Sequence, residues 1–215
     1  MFDYQTDSLW HNLTGEPVVG KLAHSGIKLK VLPVVITTWE KWLSRHPDTV
    51  VLDIKTGFNR PYAPGQPYGK YFASPDTMFP VSPRNDRLAP KSYVFAVRLN
   101  NQPRAYPLAV LQEKRVVNDT VAGVNLTILT ETQARTEPQA RTVRAYERKD
   151  YTFGPFGPRE TLTSVVELTS KEVWQVHEEY LLNPRSEEQL ARAGGHVSYW
   201  FGWYAFYPNT EVYAP

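Results

Sequence analysis

The chain has 215 residues, 41% of them hydrophobic and 21% charged, with a formal net charge of +2. That composition specifies a folded chain with room for one large domain or two small ones, and the charge is too slight for a nucleic-acid or anionic-membrane surface. The absence of cysteine excludes disulfides, thiol nucleophiles and thiolate-bound zinc or iron–sulfur centres, no run approaches the roughly 20 apolar residues of a transmembrane helix, and no signal peptide opens the chain.

In chain order, the first aromatic landmark is Trp10, followed by His11. A helix is predicted from Trp39, Trp42, Leu43 and His46, which fall on one face at i, i+3, i+4 and i+7. Thr37 and Glu40 form a capping box at its start, Pro47 ends it, and Asp48-Thr49 turn the chain into a strand at Val50 to Leu52. Residues 56–92 carry Pro61, Pro64, Gly65, Pro67, Pro75, Pro80, Pro83 and Pro90 with Tyr62, Tyr68, Tyr71, Phe72 and Phe79 between them. This stretch reads as an ordered connection pinned to a surface by its rings. Tyr93 to Leu99 alternates as a strand and Asn100 to Pro103 is turn chemistry. Val116-Val117 and Asn125 to Glu131 flank a turn containing Asn118-Asp119 and Gly123. Residues 141–149, 151–153 and 161–168 read as strands, and Ser186 to Gln189 is a capping box opening a short helix that stops at Gly194-Gly195.

The last segment, Tyr199 to Tyr213, matches Thr38 to Leu52 position by position. Trp39, Trp42, Pro47 and Thr49 correspond to Trp200, Trp203, Pro208 and Thr210, and His46 to Tyr207. Trp is rare, so this shared register predicts an internal duplication. Trp10 and Trp174 form a weaker second correspondence. The fold class expected is mainly β with a few short helices. Residues 1–55 are the tail of a truncated first copy, 56–92 the connection, and 93–215 a complete second copy, together forming one compact unit. A tail lacking its sheet partners leaves an edge that pairs with copy two, with another polypeptide, or with a fragment outside this sequence.

Several runs resemble a known family: Met1 to Trp10, Leu13-Thr14-Gly15-Glu16, Thr38 to Trp42 with His46-Pro47-Asp48-Thr49, Arg104-Ala105-Tyr106-Pro107-Leu108 and Val117 to Gly123. Together they resemble a large prokaryotic family catalogued as domain of unknown function 3179. The resemblance covers nearly the whole chain. It implies a mostly β fold, an extracytoplasmic location from the export signals frequent in relatives, and no established activity. It also implies a front half ahead of the segment matching Met1, with a histidine beside an Ile-Val-Asn-Asp motif and a Cys-Pro-Leu-Cys run. Here the position matching that histidine in the second copy is Lys114, and no cysteine follows Thr127 to Glu131. No metal or thiol chemistry is therefore carried over.

The five histidines, His11, His24, His46, His177 and His196, form no His-x-x-x-His pair, and neither a Gly-x-Ser-x-Gly elbow nor a phosphate loop is present. His46 reads as a packing ring, and His177 and His196 read first as turn or surface residues, with a meeting in space to bind a metal as the lesser alternative. Asp3, Asp7, Glu16 and Asp53 leave a carboxylate pair open. Arg135, Arg141, Arg144, Arg148 and Arg159 are offset by Glu137, Glu147, Asp150 and Glu160, which reads as a solvated strand face. Trp39, Trp42, Trp200 and Trp203 read as core, which leaves Trp10, His11, Trp174, His177 and His196 as ligand-binding candidates. No cofactor or metal is expected. The function favoured is a non-catalytic interaction module or accessory subunit. The alternatives are a carbohydrate- or small-ligand-binding module and a metal-assisted or hydrolytic enzyme.

Overall fold

The structure, a computed structural model, describes residues 1–63, 68–131, 142–158 and 162–214. Pro64, Gly65 and Pro67 of the connection and Arg135, Glu137, Arg141, Arg159 and Glu160 of the basic middle lie outside the described residues. The chain is mainly β and divides into two compact units, Met1–Val34 and Val35–Pro215.

The first unit is an antiparallel sheet of β1 (Phe2–Asp3), β2 (Ser8–Trp10) and β3 (Pro17–Val19), in that order. The β2 strand alternates, burying Ser8 and Trp10 and exposing Leu9. Gly20 sits at φ +99°, where a Cβ would stand 2.0 Å from the Asp7 carbonyl oxygen, so only glycine closes this turn.

The second unit begins with helices α1 (Trp39–Arg45) and α2 (Gly69–Ala73). Strands β4 (Tyr93–Leu99) and β5 (Gln102–Pro107) follow as a hairpin, turned by Asn100 and Asn101 at φ +46° and +65°, and α3 (Leu108–Glu113) comes next. Eight strands then build one antiparallel sheet: β6 (Val116–Val121), β7 (Val124–Glu131), β8 (Thr142–Glu147), β9 (Phe153–Phe156), β10 (Ser164–Glu167), β11 (Val173–Val176), β12 (Tyr180–Leu182) and β13 (Gln189–Ala193). Finally β14 (His196–Tyr199), α4 (Trp200–Phe206) and β15 (Glu211–Val212) complete a four-stranded sheet in the order β14-β4-β5-β15.

The eight-stranded sheet runs β6-β7-β8-β13-β12-β11-β10-β9 and curls into a nearly closed barrel. Its edge strands meet at Asn118, whose Nδ2–H donates to the Phe153 carbonyl at 2.8 Å while its Oδ1 accepts the Phe153 N–H at 3.0 Å. One side-chain amide thus does the work of a ladder rung and removes an open edge. Leu129, Tyr146, Phe153, Leu162, Val165, Trp174, Leu181 and Leu190 fill the interior. The opposite residues of β7 and β8, including Leu126, Ile128, Val143 and Ala145, pack outward against Phe95, Val97, Tyr106 and Leu111 in a second core.

Several local expectations differ. Asn118-Asp119 is not a turn: β6 runs on to Val121, and Ala122-Gly123 turn the chain at φ +51° and +78°. Residues 189–193 form a strand rather than a helix, because Asn183 Oδ1 takes the amides of Arg185 and Ser186 in a turn. Leu190 then buries between β8 and β12 with period two. The cap of α1 is Thr38, not Thr37, its Oγ1 accepting the Lys41 N–H at 3.3 Å. Val50 to Leu52 is not a strand, since no neighbour among the described residues pairs with it. Arg144 faces inward rather than to solvent, where Glu131 and Glu178 hold it, and Arg148 donates to the carbonyls of Leu126 and Tyr151. In the connection, Tyr71 lies beneath Lys91 Nζ, but Tyr62, Tyr68, Phe72 and Phe79 are exposed.

Candidate functional site

The residues nominated from sequence are dispersed. Trp10 is buried in the small sheet, and His11 Nδ1 accepts the Thr14 N–H at 3.2 Å; burial pulls its pKa below the ordinary value. Trp174 is 1% exposed inside the barrel, packed edge-on against Phe153 with ring centroids 5.5 Å apart. His177 stacks on Tyr180 at 4.8 Å in the β11–β12 turn. His196 stands in the other sheet, edge-on to Trp203 at 5.4 Å, and burial lowers its pKa. The two histidines therefore pack against different residues on different sheets. Among the described residues, no group of three or more His, Asp or Glu side chains is placed to hold a metal ion.

What the structure does bring out is a pair of matching helices in opposite surroundings. In α1, Trp42 Nε1–H donates to Thr49 Oγ1 at 2.9 Å; in α4, Trp203 Nε1–H donates to Thr210 Oγ1 at 2.8 Å. His46 lies 4.1 Å from the Trp42 ring and Tyr207 4.5 Å from the Trp203 ring. The residues closing the helices, His46 and Tyr207, have φ/ψ of −133°/68° and −128°/71°, and each N–H returns to the Trp carbonyl one turn back. Each Trp-x-x-Trp seven-residue stretch is halted by the following proline, and each threonine folds back on the indole.

Their burial differs completely. Trp200 and Trp203 are 1% and 2% exposed, packed in the four-stranded sheet region, and Arg87 lies over the Trp200 ring. Trp39 and Trp42 are 52% and 43% exposed, and Val50 and Leu52 each 92%. The expectation that Trp39 and Trp42 are core fails: among the described residues no strand pairs with Val35 to Thr38 or Val50 to Leu52 as β4 and β5 pair with the flanks of α4, and no residue of α1 is buried. This leaves Trp39, Trp42, Leu43, Val50, Val51 and Leu52 as exposed apolar side chains on α1 and the segment that follows it.

The polar side of α1 is anchored. Glu131, 2% exposed, accepts from Lys41 Nζ at 3.0 Å, Arg45 Nη2 at 3.4 Å and Arg144 Nη1 at 3.0 Å. Arg144 also reaches Glu178, which pairs with Arg192 at 2.8 Å. Burial opposes ionisation of Glu178, but the two guanidinium groups hold its carboxyl below the usual range. Tyr146 donates to the His177 carbonyl, and burial pushes its phenol up to about 12. None of these charged residues stands out in the sequence: Glu131, Arg144 and Arg192 belong to strands, Lys41 and Arg45 to α1, and Glu178 to the β11–β12 turn.

A cavity of about 440 Å³ lies on the far side of α4, lined by Met78, Phe79, Pro80, Trp200, Phe201 and Tyr204 among others. A smaller polar cleft of about 310 Å³ includes Arg104, Thr120, Asn209 and Glu211.

Residues 1–210 match the family described as protein of unknown function (DUF3179). The chain belongs to that family. No curated protein and no solved structure matches it. Two runs that are separate in the sequence, Arg104 to Leu108 and Val117 to Gly123, meet here. Tyr106 Oη donates to Asp119 Oδ2 at 2.8 Å, and Arg104 Nε pairs with the same oxygen at 2.8 Å. Burial and the Asp119 carboxylate push the Tyr106 phenol far above its ordinary pKa. With Asn118 at the barrel seam, the run Val117-Asn118-Asp119 joins the barrel both to itself and to the four-stranded sheet.

Proposed function

We propose that this DUF3179 chain is a non-catalytic interaction module, an accessory subunit whose α1 segment is covered by another polypeptide. The observation that carries the proposal is the contrast between α1 and α4: the same indole–threonine geometry, buried in one helix and solvent-facing in the other. Burying two half-exposed indoles and three open aliphatic side chains would stabilise a complex by several kcal/mol at about 25 cal/mol per Å² of apolar surface, before the cost of association. Thr38 to Leu52 and Tyr199 to Tyr213 are then two versions of one unit, of which the first lacks its cover. Native mass spectrometry of the protein from its source, joined to hydrogen exchange over residues 35–52, tests this. A stoichiometric second polypeptide that slows exchange there supports it; a species with no second polypeptide and fast exchange refutes it.

The second reading, a carbohydrate- or small-ligand-binding module, draws on the 440 Å³ cavity with its Phe201 and Tyr204 rings. Intrinsic fluorescence that ignores a broad glycan panel would remove it.

A further inference from the structure

We infer that the occupant of the α1 face is a two-stranded antiparallel β-hairpin presented by another polypeptide. This rests on the interaction reading above and goes further by giving the partner's shape, polarity and register.

The covered helix supplies the template. Immediately before α4, His196 to Tyr199 pair antiparallel with Ala96 to Tyr93 of β4. Immediately after it, Glu211 and Val212 pair parallel with Arg104 and Ala105 of β5, and the Tyr213 N–H donates to the Ala105 carbonyl at 2.9 Å. Strands β4 and β5 are the two arms of one hairpin, so a single hairpin engages both flanks of α4 while Trp200 and Trp203 are buried. The hairpin residues at that contact are small or apolar, with Val94, Phe95, Ala96 and Ala105 almost wholly buried.

Around α1 the receiving geometry exists without a hairpin. Thr38, entering the helix, has φ/ψ of −78°/154°, against −72°/145° for Tyr199. Val35 to Thr38 and Val50 to Leu52 belong to no sheet, whereas their counterparts are the edge strands β14 and β15. An incoming hairpin would pair one arm antiparallel to Val35 to Thr38 and the other parallel to Val50 and Val51, adding backbone hydrogen bonds as it covers the indoles.

One position sets specificity. In the covered copy Glu211 faces Arg104, their side chains bonded at 2.6 Å. The residue matching Glu211 is Val50, so the partner hairpin carries an apolar side chain where β5 carries Arg104. A second copy of this chain would bring an Arg104 held by its own Asp119, with no carboxylate at Val50 to replace the Glu211 bond. Its β4–β5 hairpin is also already engaged by α4.

The test uses the full chain and a backbone-cyclised peptide of residues 93–107, in the natural sequence and with Arg104→Val. Binding is read by isothermal titration and by hydrogen exchange over residues 35–52. The Arg104→Val peptide is expected to bind saturably, about tenfold or more tighter than the natural peptide, and to protect Val35 to Thr38 and Val50 to Leu52. Leu52→Pro in the full chain removes the donor that matches the Tyr213 N–H and is expected to weaken binding about tenfold. Leu52 is 92% exposed, so the fold tolerates this change. If neither peptide binds while the source complex still protects residues 35–52, the hairpin is refuted and the interaction reading stands. If neither peptide binds and the source yields no partner, both fall. A concentration-dependent dimer of the chain alone, protected over residues 35–52, makes the occupant a second copy and overturns the proposal of a separate partner.

Discussion

Thr49→Val and Thr210→Val make the same chemical change in two helices of the same geometry, and the structure predicts different costs. At Thr210, 1% exposed, the substitution removes the acceptor of the Trp203 indole N–H and the hydroxyl's own bond to the Tyr207 carbonyl. With Trp203 equally buried, no water replaces that acceptor. An unsatisfied buried N–H costs about 1–3 kcal/mol and the lost hydroxyl bond about 1 more, so Thr210→Val is expected to destabilise the fold by about 2–4 kcal/mol. At Thr49 the indole is half open, water takes the acceptor's place, and the expected loss is about 0.5 kcal/mol or less. The difference, about 2 kcal/mol or more, corresponds to a drop in Tm of about 4–8 °C for a chain of this size. Urea denaturation followed by far-ultraviolet circular dichroism, with calorimetry alongside, measures it. Equal costs for the two substitutions would refute the assignment of opposite environments to the two helices.

Asn118→Ala removes both bonds across the barrel seam and is expected to cost about 2–3 kcal/mol in chemical denaturation, with faster exchange of the Phe153 amide. Arg144→Met deprives the buried Glu131 carboxylate of its innermost cation and is expected to cost about 3–5 kcal/mol at neutral pH. A double-mutant cycle with Glu131→Gln should recover part of that loss. Burial opposes ionisation of Glu167, but the amides of Ser170, Thr169 and Thr152 outweigh it and hold its carboxyl at about 2, against an ordinary 4.5. A folded-state pKa below the unfolded value contributes stability above about pH 4.5 that is lost as pH falls toward 2. Tm measured across that range should fall less steeply in Glu167→Gln than in the natural chain.

The sequence was most legible where one residue type carries one physical job. The strand at Tyr93 to Leu99 and the turn at Asn100-Asn101 read directly, as did the helix stops at Pro47 and Pro208, although Val94 to Val97 are all buried and the expected alternation is absent. Side-chain bonds that imitate backbone ones were not legible. Asn118 looks like a turn residue because asparagine commonly is one, and only the approach of β9 makes it the closing rung of a barrel. Ser186 to Gln189 has the letters of a helix start, but Asn183 captures the neighbouring amides first. The exposure of Trp39 and Trp42 was hidden for another reason. Their pattern matches that of Trp200 and Trp203, and burial depends on a hairpin far away in the chain rather than on the pattern. The Arg104–Tyr106–Asp119 cluster joins two stretches over a dozen residues apart, with no local spacing to announce it.

One consequence follows from the anchoring of α1. The helix buries none of its seven residues; Lys41 and Arg45 converge on Glu131, and Thr142 Oγ1–H donates to the Ile36 carbonyl just before the helix at 3.2 Å. Lys41 and Arg45 are partly open to solvent, so their attraction is screened by dissolved ions, and the Debye length falls from about 10 Å at 0.1 M salt to about 3 Å at 1 M. The Arg144–Glu131 pair beneath them is shielded from that effect. Rising ionic strength is therefore expected to weaken the more open Arg45 contact first and the Lys41 contact less, so the steadiness with which Trp39 and Trp42 are offered depends on the surrounding medium as well as on the chain.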